Sequence, residues 1–267
     1  MKVFEISKIV EEIAPKALKE DFDNVGLMVG DNNAEVSTIL VALDCTLSVI
    51  EEAKEIGAQM ILTHHPILFL KPKTITKDTL LGKKLIELIK NDINVYSAHT
   101  NLDSAKEGMN DTIVKMLGFN SDKILEVSNN SKNGDAGIGR LVSLDTPMEL
   151  SELVDTIKKK LSIQNLRFSG DLNKKVKKIA IINGSGQDFF AISKRYGADC
   201  IITGDTTYHY VSDYTEEGIS ILDIGHFGSE WPLFIDICNR LTEKFLLADK
   251  GVKVIVSKTN RDPYKFI

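Results

Sequence analysis

Apolar residues at Ile6, Ile9, Val10, Ile13, Ala17 and Leu18 recur at helical spacing, which predicts an amphipathic opening helix capped by Ser7 and bent at Pro15. Beyond it, short β-branched runs alternate with amphipathic stretches. The pattern predicts strands over 38–43, 59–63 and 94–97, with helices over 46–55 and 79–91 between them. Strands that alternate with helices form βαβ units and a largely parallel sheet. Asn, Ser, Lys and Gly accumulate over 129–139 and break this rhythm. The expected organisation is therefore a first α/β lobe over 1–128, a linking segment over 129–173 with no inserted domain, and a second α/β lobe over 174–267. The stretch 230–267 is free to pack back on the first lobe.

The second half echoes the first. Gly57-Ala58-Gln59-Met60-Ile61-Leu62-Thr63 is matched by Gly197-Ala198-Asp199-Cys200-Ile201-Ile202-Thr203, and Ile39 to Leu43 by Ile179 to Asn183 at the same offset. The predicted fold class is thus α/β, with two similar lobes related by a pseudo-twofold internal repeat. Mixed or parallel sheets flanked by helices would frame a site in the cleft between the lobes. Each half also delivers a His-x-x-x-carboxylate after its third strand: His99 with Asp103, and His226 with Glu230.

Composition narrows the classes. At 43% hydrophobic and 27% charged the chain is an ordinary globular protein. Its net charge of -5 argues against a general nucleic-acid surface, and the runs Lys158 to Lys160 and Lys174 to Lys178 read as solvated faces. Cys45, Cys200 and Cys238 lack paired spacing and read as buried, reduced thiols. The opening stretch carries Glu5, Glu11 and Glu12 rather than a basic-then-apolar signal, and no apolar run reaches the ~20 residues of a membrane span, so a cytoplasmic location without membrane contact is expected.

The chemistry-bearing residues cluster at the carboxyl ends of predicted strands, where open parallel sheets gather ligands. His64 and His65 follow the strand over 59–63, His99 and Asp103 the strand over 94–97, and His226 and Glu230 a strand over 220–224. Imidazole and carboxylate donors without thiolate suit zinc, iron, manganese or cobalt. His64, His65, Asp103, His226 and Glu230 are too many protein ligands for one catalytic zinc, but they suit two divalent ions about 3.5 to 4 Å apart that share a carboxylate. Glu230 is the choice for the bridge. Neighbouring side chains leaving a strand diverge, so one imidazole from the His64-His65 pair is expected on each ion. His99 is a sixth ligand, a group that orients another ligand, or a proton shuttle with a catalytic role. Asp205 stands at the repeat position of His65 and is a candidate for orienting a ligand or substrate, as are Asn24 and Ser185. The turn Asn183 to Asp188 could cradle an anion with its amides or be a simple tight turn.

Asp23-Asn24-Val25-Gly26-Leu27, Thr63-His64-His65-Pro66, Ala98-His99-Thr100-Asn101-Leu102-Asp103, Gly184-Ser185-Gly186, Thr203-Gly204-Asp205 and Gly225-His226-Phe227-Gly228-Ser229-Glu230 together resemble the NIF-three-like dinuclear metal-centre family, the GTP cyclohydrolase 1 type 2 homologs. The resemblance runs in order over nearly the whole chain. It implies a two-lobed α/β fold, two metals held by His64, His65, Asp103, His226 and Glu230, and a toroidal homohexamer. It also implies a metal-dependent hydrolase in which metal-activated water attacks a small, nucleotide-like substrate. A non-catalytic metal-binding scaffold or metal chaperone with protein partners is the alternative, and a nucleotide phosphoesterase a further one. Phe22 stands where the family often has Trp, which retains an aromatic.

Overall fold

The computed structural model describes residues 1–267. The chain divides into two compact units, one of Met1–Leu102 with Phe234–Arg261 and one of Asp103–Leu233 with Asp262–Ile267.

The first unit opens with α1 (Val3–Ile13) and continues through β1 (Gly26–Val29), β2 (Thr38–Ala42), α2 (Leu47–Glu55), β3 (Met60–Thr63), α3 (Leu80–Lys90) and β4 (Asn94–Ser97). Ser7 lies inside α1 and donates its hydroxyl to the Val3 carbonyl, while Lys2 is the N-cap, so the expected Ser7 cap is corrected. Pro15 does not bend that helix either. It ends at Ile13, because a residue preceding proline is pushed out of the α region. Helices α2 and α3 begin as their polar caps require: Thr46 Oγ1 accepts from Val49 N and Thr79 Oγ1 from Gly82 N.

Strands β2, β3 and β4 are buried along their whole length, as central parallel strands covered on both faces must be. Their sheet has the order β1-β4-β3-β2 and is closed on the far side by a last parallel strand that returns from the end of the chain. Strand β1 runs antiparallel to β4. The core beneath packs Leu40, Ala42, Ile61 and Val95 of the sheet against Val49, Ile50, Ala53, Leu85 and Leu88 of the helices.

The chain then forms α4 (Thr100–Ser104), α5 (Met109–Leu117), β5 (Lys123–Val127), β6 (Gly137–Glu149), α6 (Leu150–Leu161), β7 (Arg167–Ser169), β8 (Lys175–Ser185), α7 (Phe190–Arg195), β9 (Cys200–Gly204), α8 (Tyr208–Glu216), β10 (Ser220–Asp223) and α9 (His226–Ala248). The closing strand of the first sheet is β11 (Lys253–Val256). The second sheet has the order β5-β6-β8-β9-β10-β7, with β8, β9 and β10 mutually parallel and the others antiparallel to their neighbours. Both sheets are therefore mixed and the fold is α/β, with helices beside each sheet.

Residues 129–173 do not behave as a linker. The Asn-, Ser- and Gly-rich run is the turn of the β5–β6 hairpin, where Ser128 N donates to the Ala136 carbonyl and Ser131 Oγ accepts from the amides of Asp135 and Ala136. Hairpin turns and linkers share a composition, because both favour residues that leave regular structure cheaply. The remainder of the segment supplies β6, α6 and β7 to the second sheet, so residues 103–128 and 129–173 lie in one unit. No helix is long and apolar enough to cross a membrane.

The three cysteines are buried and free. Burial pushes the Cys45 thiol up to about 12 and raises Cys200 and Cys238 further, which leaves them protonated and unreactive.

Candidate metal centre

In the first unit, His64 and His65 leave β3 at a bend. Thr63 Oγ1 donates to the His65 carbonyl and sits 2.8 Å from the Ser97 hydroxyl, while His65 N donates to the Leu43 carbonyl. Because the chain bends at His64, strand alternation no longer applies and the two rings do not diverge; their centroids are 5.1 Å apart. His99, which follows β4, completes the group at 5.2 Å from His64 and 5.6 Å from His65. Each of the three rings brings a nitrogen to within 4.8 Å of the others. Phe234, on α9, packs on His64 with ring centroids 5.7 Å apart.

Each of these imidazoles is held through Nδ1. That atom is 2.7 Å from the Ala98 carbonyl in His64, 2.9 Å from Asp44 Oδ1 in His65 and 2.9 Å from Asp23 Oδ1 in His99. An oxygen acceptor at Nδ1 requires the proton there, so a neutral ring carries its lone pair on Nε2. A metal-ligating histidine whose second nitrogen donates to a carboxylate or carbonyl has this same arrangement.

Asp23 is buried at 6% exposure. Burial opposes its ionisation, but hydrogen bonds from His99, Thr100 and the Asn24 amide outweigh that and hold it at about 2. An unfolded Asp23 binds protons more readily, so its contribution to stability is complete above pH ~4 and is lost as pH falls toward 2. Asp23→Asn is expected to cost about 2 kcal/mol near neutrality and progressively less on acidification, as urea unfolding at pH 6 and pH 3 would read.

In the second unit, Asp103 lies on α4 and Glu230 on the first turns of α9, both buried. Asn183, near the end of β8, donates from Nδ2 to Asp103 Oδ1 at 2.7 Å and to Glu230 Oε1 at 3.4 Å. His226 has Nδ1 2.7 Å from Asp205 Oδ2 and Nε2 3.0 Å from Glu230 Oε2. Asp205 reaches His226 from a left-handed backbone at φ 50°. Two glycines make the approach possible. A Cβ on Gly184 would lie 2.3 Å from Glu230 Oε1, and one on Gly204 would lie 2.8 Å from the His226 amide.

The remaining candidates fall elsewhere. Ser185 is exposed and pairs with Gly204 in the ladder. Asn24 is exposed too and donates to the Leu68 carbonyl at 2.8 Å, tying down the loop after His65. The amides of Gly184 and Gly186 are spent on Ser229 Oγ and Thr203 Oγ1, which leaves neither of these two for an anion. Sequence reasoning overlooked the Asn183 side chain and the Asp44 carboxylate. Asp44 is the second residue after β2, and the strand-end rule that selected the histidines applies to it equally.

A family model described as Duf34/NIF3 (NGG1p interacting factor 3) matches residues 1–263. The chain belongs to this family. A Clostridium perfringens protein named GTP cyclohydrolase 1 type 2 homolog is 59% identical over 267 residues, covering 100% of both chains. A Clostridium acetobutylicum protein of the same name is 55% identical over 266 residues, covering 100% of this chain and 99% of the relative. Among solved structures, a Bacillus cereus protein related to NIF3 superposes with a TM-score of 0.91 at 25% identity, over 100% of this chain and 99% of the other. The NIF3 fold thus extends over the whole molecule, and in this NIF3 chain the histidine and carboxylate groups described above are of a kind that could hold a metal ion.

Proposed function

We propose that His64, His65, Asp103, His226 and Glu230 hold two divalent metal ions, and that the protein is a metal-dependent hydrolase acting on a small, nucleotide-like substrate. The observation that carries this reading is the position of Glu230. Its carboxylate faces the Nε2 side of an imidazole whose Nδ1 already serves Asp205, and it shares one Asn183 amide group with a second carboxylate, Asp103. Buried carboxylates so close repel one another unless positive charge lies among them, which a proton on His226 or a divalent cation supplies. The donor set also fits: imidazole nitrogens with lone pairs on Nε2, carboxylate oxygens and no thiolate suit zinc, iron, manganese or cobalt.

Bound divalent ions supply Lewis acidity and lower the pKa of coordinated water toward neutrality. The chain's own residues do the rest. Asp44 and the Ala98 carbonyl fix the rings of His65 and His64, Asp205 fixes His226, and Asn183 holds Asp103 and Glu230 in register. Glu230 is the group proposed to bridge. His99, paired with the Asp23 carboxylate, is placed to relay a proton beside the other two imidazoles, with Nδ1 anchored and Nε2 available. The family resemblance adds a ring-shaped homohexamer.

The name shared by the two Clostridium relatives makes GTP the first substrate to test. Protein of defined metal content is expected to bind close to two metals per chain by elemental analysis and to turn over GTP, with Glu230→Ala losing both. A stoichiometry well below two under replete conditions would remove the dinuclear reading. Equal turnover in parent and Glu230→Ala would assign the activity to a contaminant. Ready metal exchange without turnover would favour a metal-carrying scaffold instead.

A further inference from the structure

Two aromatic side chains that the metal reading leaves unused stand beside the imidazole group. Phe22 is 68% exposed and Phe69 47% exposed, followed by Leu70 at 76%. Large apolar side chains grouped in water are costly to leave uncovered and commonly mark a binding surface. These two are grouped: their rings meet edge to face at 6.3 Å, and Phe69 meets His99 edge to face, also at 6.3 Å. A continuous aromatic edge therefore leads from His64 through His99 and Phe69 to Phe22. The loop that carries Phe69 is anchored. Asn24 Nδ2 donates to the Leu68 carbonyl, and Asn24 directly follows the Asp23 that orients His99. Beyond Phe69 the loop presents Lys71 and Lys73, both exposed.

We propose that Phe22 and Phe69 form the wall on which the planar heteroaromatic ring of an anionic substrate, of the purine nucleotide class, stacks while its reacting part lies at the imidazole group. The proposal rests on the hydrolase reading given above and names the residues that would select its substrate. A planar ring matches the two exposed phenyl groups, and the lysines along the loop match phosphate charge. A second copy of the chain covering the same patch is the competing occupant. The lysines argue against it, because the same positive charge would face itself across a symmetric contact.

The test measures binding rather than turnover. Metal-loaded protein is titrated calorimetrically with GTP and, as a probe that lacks the ring, with inorganic tripolyphosphate. The expected result is tighter binding of GTP than of tripolyphosphate by the parent. Phe22→Ala and Phe69→Ala should each weaken GTP by roughly tenfold, with tripolyphosphate affinity and metal content unchanged and Phe69→Trp restoring GTP binding. Because both side chains are exposed, the variants should melt like the parent. GTP and tripolyphosphate binding alike, no GTP binding by the parent, or alanine variants that keep full GTP affinity would each overturn the proposal. So would a change of sedimentation in the variants without loss of GTP affinity, which would make the patch a contact between copies. Low metal content in the parent would instead count against the two-metal reading, and is read separately from the ring's contribution.

Discussion

His64→Ala is expected, on the metal-binding reading proposed above, to retain far less metal than the parent, with affinity falling by more than the roughly 10- to 100-fold that loss of an outer partner costs. His64 is fully buried, its Nδ1 lies 2.7 Å from the Ala98 carbonyl, and its ring lies beside the imidazoles of His65 and His99. Replacing it removes a nitrogen donor and leaves room that water can enter. Asp44→Asn is the informative comparison. It keeps the His65 ring in place but weakens the hold on its Nδ1 proton, so it should cost about tenfold in metal affinity. Elemental analysis after dialysis against a chelator of known strength reads both variants, and thermal unfolding shows whether each still folds. Equal metal retention by His64→Ala and the parent would exclude His64 as a ligand.

The second large effect concerns stability alone. Arg140 on β6 is 1% exposed, donates from Nη1 to the carbonyls of Gly137 and Gly139 at 2.8 and 3.0 Å, and pairs through Nε with Asp111 on α5. Asp111 in turn accepts the Glu107 amide at 2.7 Å. Asp111→Ala would leave a buried guanidinium without its counter-charge, and is expected to destabilise by about 3 to 5 kcal/mol and to lower Tm by roughly 10 °C. Removing the charge as well, in Asp111→Ala with Arg140→Met, should recover part of the loss, because a buried pair replaced by apolar groups costs less than a pair that is broken. A single variant that melts within a degree or two of the parent would show that the two carbonyls suffice to hold the charge.

Much of the α/β pattern is legible in the sequence. The strands over 38–43, 59–63 and 94–97 match β2, β3 and β4 to within a residue, because each is an unbroken apolar run too short for a helix and bounded by polar turns. Strands β1, β5, β7 and β11 escape notice for the opposite reason. They are edge or near-edge strands of three to five residues with mixed burial, and their apolar content differs little from that of a loop. The run over 129–139 misleads because a hairpin turn and a linker use the same residues.

The sequence by itself determined which residue types stand at the ends of the central strands. That followed from local pattern: periodicity marks the strands, and His64, His65, His99, His226 and Glu230 come just after them. Only the tertiary structure decided how these side chains are oriented. Asp23 holds His99 from 76 residues away, Asn183 holds Asp103 from 80, Asp44 holds His65 from 21 and Asp205 holds His226 from 21. Such pairings are set by sheet order and strand register, which no local pattern encodes. The same holds for Gly184, whose missing Cβ matters only because Glu230 comes to rest where that carbon would be.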